Sequence, residues 1–440
     1  MSRSGLHVLV IGGGIGGLCL AQGLKRMGIS VAVYERDASP DARLQGYRLN
    51  IEPVGSQALH ACLPPELWDV LVATAGDPGP RMGVFDEQLR ELMHEDEPGA
   101  ESDPTRSHHA VSRITLRRLL LAGLDDVVHF NKKFVRYELA GDGTVTAFFS
   151  DGSSATGHVL IGADGARSRV RKQFLPDARE VHIPAVGIGG KLPITADTAT
   201  WLPGHLQSTK NMILPPINFF FTAAFRQRQG TNDVISQIGG QLRELGLNPQ
   251  ELLDQAEDYD YVMWAFVAHR KSFRHQRDNP TVLKHAIEQS MERWSPVLQR
   301  LVRESNPGTI QAFDFAAAAK PKPWNTSNVS LLGDALHYMP PVGGMGGNAA
   351  LHDAQLLCSA LNAVNNGSPL LPSLHACEAG MLAYGFKAVQ ASLLYTRLGI
   401  SRTPLMRPLA KLFFRTCGVV GPLRRAIFEE SPLSAAPRRY

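Results

Sequence analysis

The chain opens on a short apolar run, His7–Ile11 (HVLVI), whose aliphatic residues predict a buried parallel strand. Apolar positions then fall at helical spacing over Ile15–Met27 (IGGLCLAQGLKRM), and a second strand-like run follows at Ile29–Tyr34 (ISVAVY). Two further short strands are predicted at Val159–Ala163 (VLIGA) and Val329–Leu332 (VSLL), the latter leading into helical spacing over Ala349–Leu361. Between Glu180 and about Ala319 the pattern shifts to long strand-like runs, Val181–Ile194, Met212–Phe225 and Tyr259–His269. Helical stretches separate them, with Thr281–Trp294 the clearest amphipathic helix, expected to cover the outer face of the sheet. Met82–Met93 is expected to add an edge hairpin. The whole predicts an α/β fold in which one domain is assembled from separate segments around a β-rich insertion.

At 440 residues the chain exceeds the usual single-domain length, which agrees with that division. Hydrophobic residues make up 44% and charged residues 20%, the balance of a soluble globular protein rather than of a disordered or membrane-spanning one. No run reaches the ~18 apolar residues of a transmembrane helix. Glycines at 12, 13, 14, 16 and 17 interrupt the apolar stretch from Leu6 to Leu24, so it does not read as a signal peptide, and a cytoplasmic protein is expected. The five cysteines, Cys19, Cys62, Cys358, Cys377 and Cys417, are odd in number and lack a C-x-x-C pair, which argues against a disulfide framework or a zinc site.

Between the first strand and helix lies Gly12-Gly13-Gly14-Ile15-Gly16-Gly17. Gly12 can take the tight turn, Gly14 lets backbone approach a pyrophosphate, and Gly17 lets the helix pack closely on the strand. The unpaired N–H groups at the helix start and the positive end of its dipole suit an anion. Glu35 ends the second strand eighteen residues after Gly17, where a carboxylate can accept ribose hydroxyl hydrogen bonds. These elements predict a Rossmann-like dinucleotide site without saying which dinucleotide.

Two distant segments bear on that choice. Asp164-Gly165-Ala166-Arg167 follows the strand at 159–163; an aspartate there can hold a ribose, or simply cap the next helix. Gly333-Asp334-Ala335, His337 and Met339-Pro340-Pro341 precede Gly343-Gly344-Met345-Gly346-Gly347-Asn348, whose glycines leave backbone N–H groups open to a ring or phosphate.

The glycine turn, "GADGARSRVR" and "GDALHYMPPVGGMGGNAALHDA", in this order over residues 7 to about 361, resemble the single-component FAD-dependent aromatic hydroxylases, the para-hydroxybenzoate hydroxylase-like group A flavoprotein monooxygenases. The resemblance implies a glutathione reductase-type FAD-binding domain formed by residues 1–80, 98–179 and 320–380. It also implies a substrate-binding β-sheet domain at 81–97 and 180–319, with a C-terminal helical segment at 381–440. It implies that Gly12, Gly14 and Gly17 line the FAD pyrophosphate, that Glu35 and its neighbour Arg36 lie at the adenosine end, and that Arg113 points at the phosphates or ribitol, with Arg117 as the competing candidate. Arg48 would sit beside the flavin, Asp164 in the segment that touches FAD, and Asp334 on the ribitol, while Pro341, Gly344, Gly346, Gly347 and Asn348 would form the loop against the isoalloxazine ring.

The resemblance further implies that NAD(P)H binds transiently and reduces the flavin, and that oxygen adds to give a C4a-hydroperoxide which hydroxylates or epoxidises a hydrophobic, aromatic or polycyclic molecule. The absence of a convincing Ser-His-Asp set or metal motif fits chemistry carried by a cofactor. Substrate contacts are expected from Met212, Phe219, Phe221, Phe225, Tyr261 and Met263 on the inner face of the sheet, whereas His182, His205, His269 and Arg270 are not singled out as a base or anion clamp.

A flavin-dependent halogenase on the same scaffold is disfavoured, because Met263-Trp264-Ala265-Phe266 does not supply that family's W-x-W-x-I-P motif. A prenyl reductase and a non-catalytic FAD-fold binding protein remain as alternatives. The net charge of +4 is uneven: residues 397–440 carry nine Arg or Lys against two Glu, a net of +7. No nucleic-acid partner is expected, and the protein is expected as a monomer or homodimer. Leu405–Phe414 (LMRPLAKLFF) and Leu423–Phe428 set apolar faces beside arginines, which predicts a helical cap on the FAD domain in preference to a basic amphipathic membrane contact.

Overall fold

The strand His7–Ile11 lies at the middle of a five-stranded parallel sheet, ordered Val329–Leu331, Val159–Gly162, His7–Ile11, Ser30–Tyr34 and Val128–His129. The computed structural model describes residues 5–43, 48–77, 79, 81–96, 103–253, 259–273 and 279–424. The continuous apolar runs are explained by this position: Val8–Val10 and Val159–Ile161 are fully buried, with neighbouring strands on each side and helices above and below. The helix Ile15–Arg26 follows the first strand, and its buried face packs with that of the long helix Met345–Asn365.

A seven-stranded sheet forms the second layer, ordered Gln311–Ala318, Glu180–Pro193, Tyr261–His269, Phe219–Phe225, Lys210–Leu214, Arg81–Asp86 and Glu91–Asp96. Its pairs are antiparallel except for Lys210–Leu214 beside Arg81–Asp86. The period-2 alternation divides its residues between two environments. Phe220, Trp264 and Phe266 point to one face, where the helices Pro280–Ser290 and Pro296–Arg303 seal them. Phe219, Phe221, Met263 and Ala265 point to the other, toward an internal cavity.

The run expected as one strand over Met212–Phe225 is two, because Pro215 and Pro216 supply no N–H to a ladder and Asn218 takes φ 71° in the return turn. The amphipathic helix expected to Trp294 stops at Ser290. A 30-residue helix, Leu370–Gly399, runs unbroken through position 380.

The C-terminal helix, Met406–Val419, differs from expectation. It lies against the edge strand Glu91–Asp96 of the seven-stranded sheet, not on the layer that carries the glycine turn. Cys417 is buried with Val84, Leu92 and Met93; Lys411 pairs with Glu87 at 2.5 Å; and Arg407 donates to the carbonyl of Asn218. Leu423 onward carried the rest of that expectation, and residues 425–440 lie outside the described residues. Among the described residues no helix is long and apolar enough to cross a membrane, and all five cysteines are free and buried.

Candidate functional site

Gly12 has φ 112°, and a Cβ there would stand 2.4 Å from the carbonyl oxygen of Ala163. At Gly17 a Cβ would stand 2.2 Å from the carbonyl oxygen of Gly12. Both contacts are with backbone and cannot relax, so the turn and the close helix–strand approach demand glycine. Gly14 is different: open space lies where its Cβ would be, and that space belongs to a cavity of about 2560 Å³. Glu35 Oε2 accepts from the Gly13 N–H at 2.6 Å and Oε1 from the Asp37 N–H at 2.9 Å, which fixes the carboxylate at the rim of the turn.

The cavity exceeds the ~300–1,000 Å³ usual for a small-ligand pocket and has room for a large cofactor and a second molecule together. It runs from the glycine turn past the loop at 333–347 to the seven-stranded sheet. Two helix N-termini face it, those of Ile15–Arg26 and Met345–Asn365. Each is preceded by a glycine, has no side-chain cap and has no acidic residue in its first turn. Their unpaired N–H groups are therefore available to an anion or a polarised oxygen.

Asp334 opens into the cavity while protein encloses it on its other sides; burial raises its pKa, and His337, Arg113 and Arg171 oppose that rise. Arg113, at the start of the helix Arg113–Leu121, lines the same space. Arg117 does not: its guanidinium donates to the carbonyls of Gly13 and Pro40, so it braces the turn from behind. Arg36 and Arg48 line the cavity, Arg48 being nearly sealed by protein. So do Pro341, Gly344, Gly346 and Gly347.

Asp164 lines the cavity, and its carboxylate also accepts from Ser168 Oγ and from the N–H groups of Arg169 (2.7 Å) and Val170 (3.3 Å), so it caps the following helix as well. Asn348 is buried away from the cavity. Its Oδ1 accepts from the Glu52 N–H (2.9 Å) and its Nδ2 donates to the Asn50 carbonyl (3.0 Å), tying the glycine loop to the strand Leu49–Ile51.

On the sheet side, Met212, Phe219, Phe221 and Met263 line the cavity, but Tyr261 and Phe225 do not. Tyr261 has the parity of Met263 yet sits one pair further along the strand, fully buried with Ala110 and stacked on Phe225 at 5.2 Å. It is a core residue. His182, His205, His269 and Arg270 also lie off the cavity; Arg270 pairs with Asp314 at 2.8 Å. Phe313, Phe315 and Tyr395, none of them expected from sequence, also line the cavity, and Met406, Phe413 and Phe414 of the C-terminal helix form one wall of it. The available signal was the apolar spacing of Leu405–Phe414, but its partner could only be seen in three dimensions. Among the described residues no group of His, Cys, Asp or Glu could hold a metal ion.

Residues 10–73 match the profile of an NAD(P)-binding Rossmann-like domain, and residues 261–390 that of an FAD binding domain. A Photorhabdus luminescens subsp. laumondii protein, described as an FAD containing monooxygenase, has a crystal structure that superposes with a TM-score of 0.77. It is 32% identical, and the match covers 90% of this chain and 98% of that one. The chain belongs to the FAD-dependent monooxygenase family. This is a family of oxidoreductases with FAD as cofactor. Similar monooxygenases include a Klebsiella pneumoniae FAD-dependent urate hydroxylase, 29% identical over 367 residues and matched over 80% of each chain. The dual O-methyltransferase/FAD-dependent monooxygenase CTB3 of Cercospora beticola is 31% identical over 408 residues, 85% of this chain and 44% of that protein. The chain spans 40–44% of the length of the dual-function relatives it matches.

Proposed function

We propose that this monooxygenase consumes NAD(P)H and O2 to hydroxylate or epoxidise a flat, hydrophobic small molecule of aromatic or polycyclic character. The observation that carries the reading is the continuity of one cavity from the glycine turn, past the Asp334–Gly347 loop, to an aromatic sheet face. FAD fits the residues present: backbone N–H groups at the start of Ile15–Arg26 would hold its pyrophosphate, Glu35 its adenosine ribose, and Asp334 with Arg113 its ribitol region. The uncapped start of Met345–Asn365 would donate hydrogen bonds to the carbonyl edge of the isoalloxazine ring.

Bound FAD supplies the redox chemistry, accepting hydride from NAD(P)H and activating O2. The protein's own contributions are binding, orientation and exclusion of water. Phe219, Phe221, Met212 and Met263 would hold a flat substrate against the sheet, with room left by the small side chain of Ala265 in the same row as Phe221 and Met212. Phe313 and Phe315 on one side, and Phe413 and Phe414 on the other, would close apolar walls that keep water from the reacting centre. The urate hydroxylase relative acts on a flat heterocycle, and urate-like rings therefore belong in a substrate panel.

The test is FAD titration of the purified protein followed by a panel of phenols, polycyclic aromatics and purines in an NAD(P)H-consumption assay. A yellow complex and consumption accelerated by one panel class support the reading. Failure to bind FAD, or tight FAD binding with consumption unmoved by every class, contradicts it.

A further inference from the structure

We propose that the C-terminal helix is a docking face for an anionic lipid surface, and that the cavity opens beside that face. The helix Met406–Val419 has three sides. One, with Met406, Ala410 and Phe413, lines the cavity; a second, with Cys417 and Gly418, sits on the edge strand Glu91–Asp96. The third faces outward and is apolar where a surface helix is normally polar. Leu405 is 70% exposed and Leu409 and Leu412 are 60% exposed, at the i, i+4, i+7 spacing of a single stripe.

The neighbouring helix extends the same surface. Leu394 is 55% exposed beside Tyr395, and Tyr395 and Leu398 are partly exposed while also lining the cavity. Apolar side chains scattered singly over a surface are ordinary, but these sit on the same two helices as the cavity-lining Tyr395, Leu398, Met406, Ala410 and Phe413. Charge selects the occupant. Between Leu394 and Arg424 the sequence has six Arg or Lys and no Asp or Glu. Arg407 is buried on backbone carbonyls and Lys411 pairs with Glu87, whereas Arg397, Arg402 and Arg415 are exposed around the leucine stripe.

A second copy of the chain docked face to face would set the arginines of one helix pair against those of the other, where the stretch 394–424 carries no carboxylate to relieve them. An anionic bilayer surface accepts both features, the leucines entering the acyl boundary and the arginines meeting headgroup phosphates. The helix would lie in the plane of the interface, since no described helix is long and apolar enough to span. Delivery of an apolar substrate from the bilayer to the cavity rests on the proposed function; the docking itself does not, and it is read without turnover.

The experiment is sedimentation of the full chain loaded with FAD, against vesicles of phosphatidylcholine alone and of phosphatidylcholine with phosphatidylserine. Wild type is expected to pellet with the phosphatidylserine vesicles and to stay in the supernatant with phosphatidylcholine. Replacing the stripe together, Leu405→Ser, Leu409→Ser and Leu412→Ser, should lower the vesicle-bound partition about tenfold or more. Replacing Arg397, Arg402 and Arg415 with Gln should weaken binding and reduce its salt dependence. These side chains are exposed, and retained FAD binding verifies that each variant is folded. No pelleting with phosphatidylserine vesicles, or equal pelleting of wild type and the leucine variant, overturns the proposal. So does a wild-type dimer in sedimentation velocity that the leucine variant converts to monomer, because that outcome assigns the face to a second copy.

Discussion

His337 Nε2 lies 2.6 Å from Asp353 Oδ2, and both side chains are sealed from solvent. The same carboxylate oxygen accepts from the Gly333 N–H at 2.8 Å, so the pair joins the loop carrying Asp334 to the helix that begins at the glycine-rich loop. Space for the imidazole exists because residue 385 is glycine; a Cβ there would stand 2.2 Å from the ring.

Burial alone would push the His337 pKa down, but Asp353, and Asp334 beyond it, outweigh burial and hold it above its ordinary value of 6.5. A group whose pKa rises on folding contributes stability that is complete below its unfolded value and is lost as pH rises through the folded one. His337→Gln should therefore cost roughly 3–5 kcal/mol in mildly acidic solution, and the gap from wild type should narrow as pH rises. Urea unfolding across a pH series checks it, and a gap independent of pH would show that His337 and Asp353 do not form a charged pair.

The glycine turn separates folding from binding. Gly12→Ala puts a side chain at positive φ and against the Ala163 carbonyl, and should destabilise the protein by about 2 kcal/mol or more. Gly14→Ala meets nothing in the protein but enters the cavity where the proposed pyrophosphate contact would lie. It should keep the wild-type Tm and weaken FAD binding about tenfold, ~1.4 kcal/mol. Calorimetry of both variants with and without FAD reads the two effects, and an unchanged FAD Kd in Gly14→Ala would contradict the assignment.

The first thirty-five residues were legible because their information is local: strand, turn, helix and Glu35 are specified by neighbours in sequence, and the turn needs glycine for reasons visible in the chain itself. The sheet face was legible by parity but not by extent. Tyr261 has the correct parity, yet the strand His109–Val111 covers its end of the sheet, and no pattern along 259–269 reports a strand one hundred and fifty residues away. Asp164 was legible even as a helix cap, since Ser168, Arg169 and Val170 are its near neighbours, whereas the partner of Asn348, the Glu52 N–H, lies 296 residues away in sequence. The cavity wall from Met406 to Phe414 carried an amphipathic signal without an address.

Phe413→Ala should raise KM for the substrate about tenfold, ~1.4 kcal/mol, because it removes an apolar wall of the cavity on the side proposed for the substrate, and should leave FAD affinity unchanged. Tyr261→Phe, at a position outside the cavity, should leave KM within twofold and register only in stability. Steady-state kinetics with a turned-over substrate checks both. The reverse ranking would return Tyr261 to the site and remove the C-terminal helix from it.

Asp334→Asn removes a carboxylate that lines the cavity and interacts electrostatically with His337, Arg113 and Arg171. It should raise the FAD Kd roughly tenfold without altering the secondary structure seen by circular dichroism. A Kd equal to wild type would move the ribitol contact elsewhere.

Oxygen transfer to a hydrophobic substrate inside a cavity shared with FAD is read by turnover under oxygen-18 gas in ordinary water, with the product analysed by mass spectrometry. One labelled oxygen atom per product molecule is expected; product formed with NAD(P)H oxidation but carrying oxygen only from water, or no added oxygen, would rule out a monooxygenase reaction.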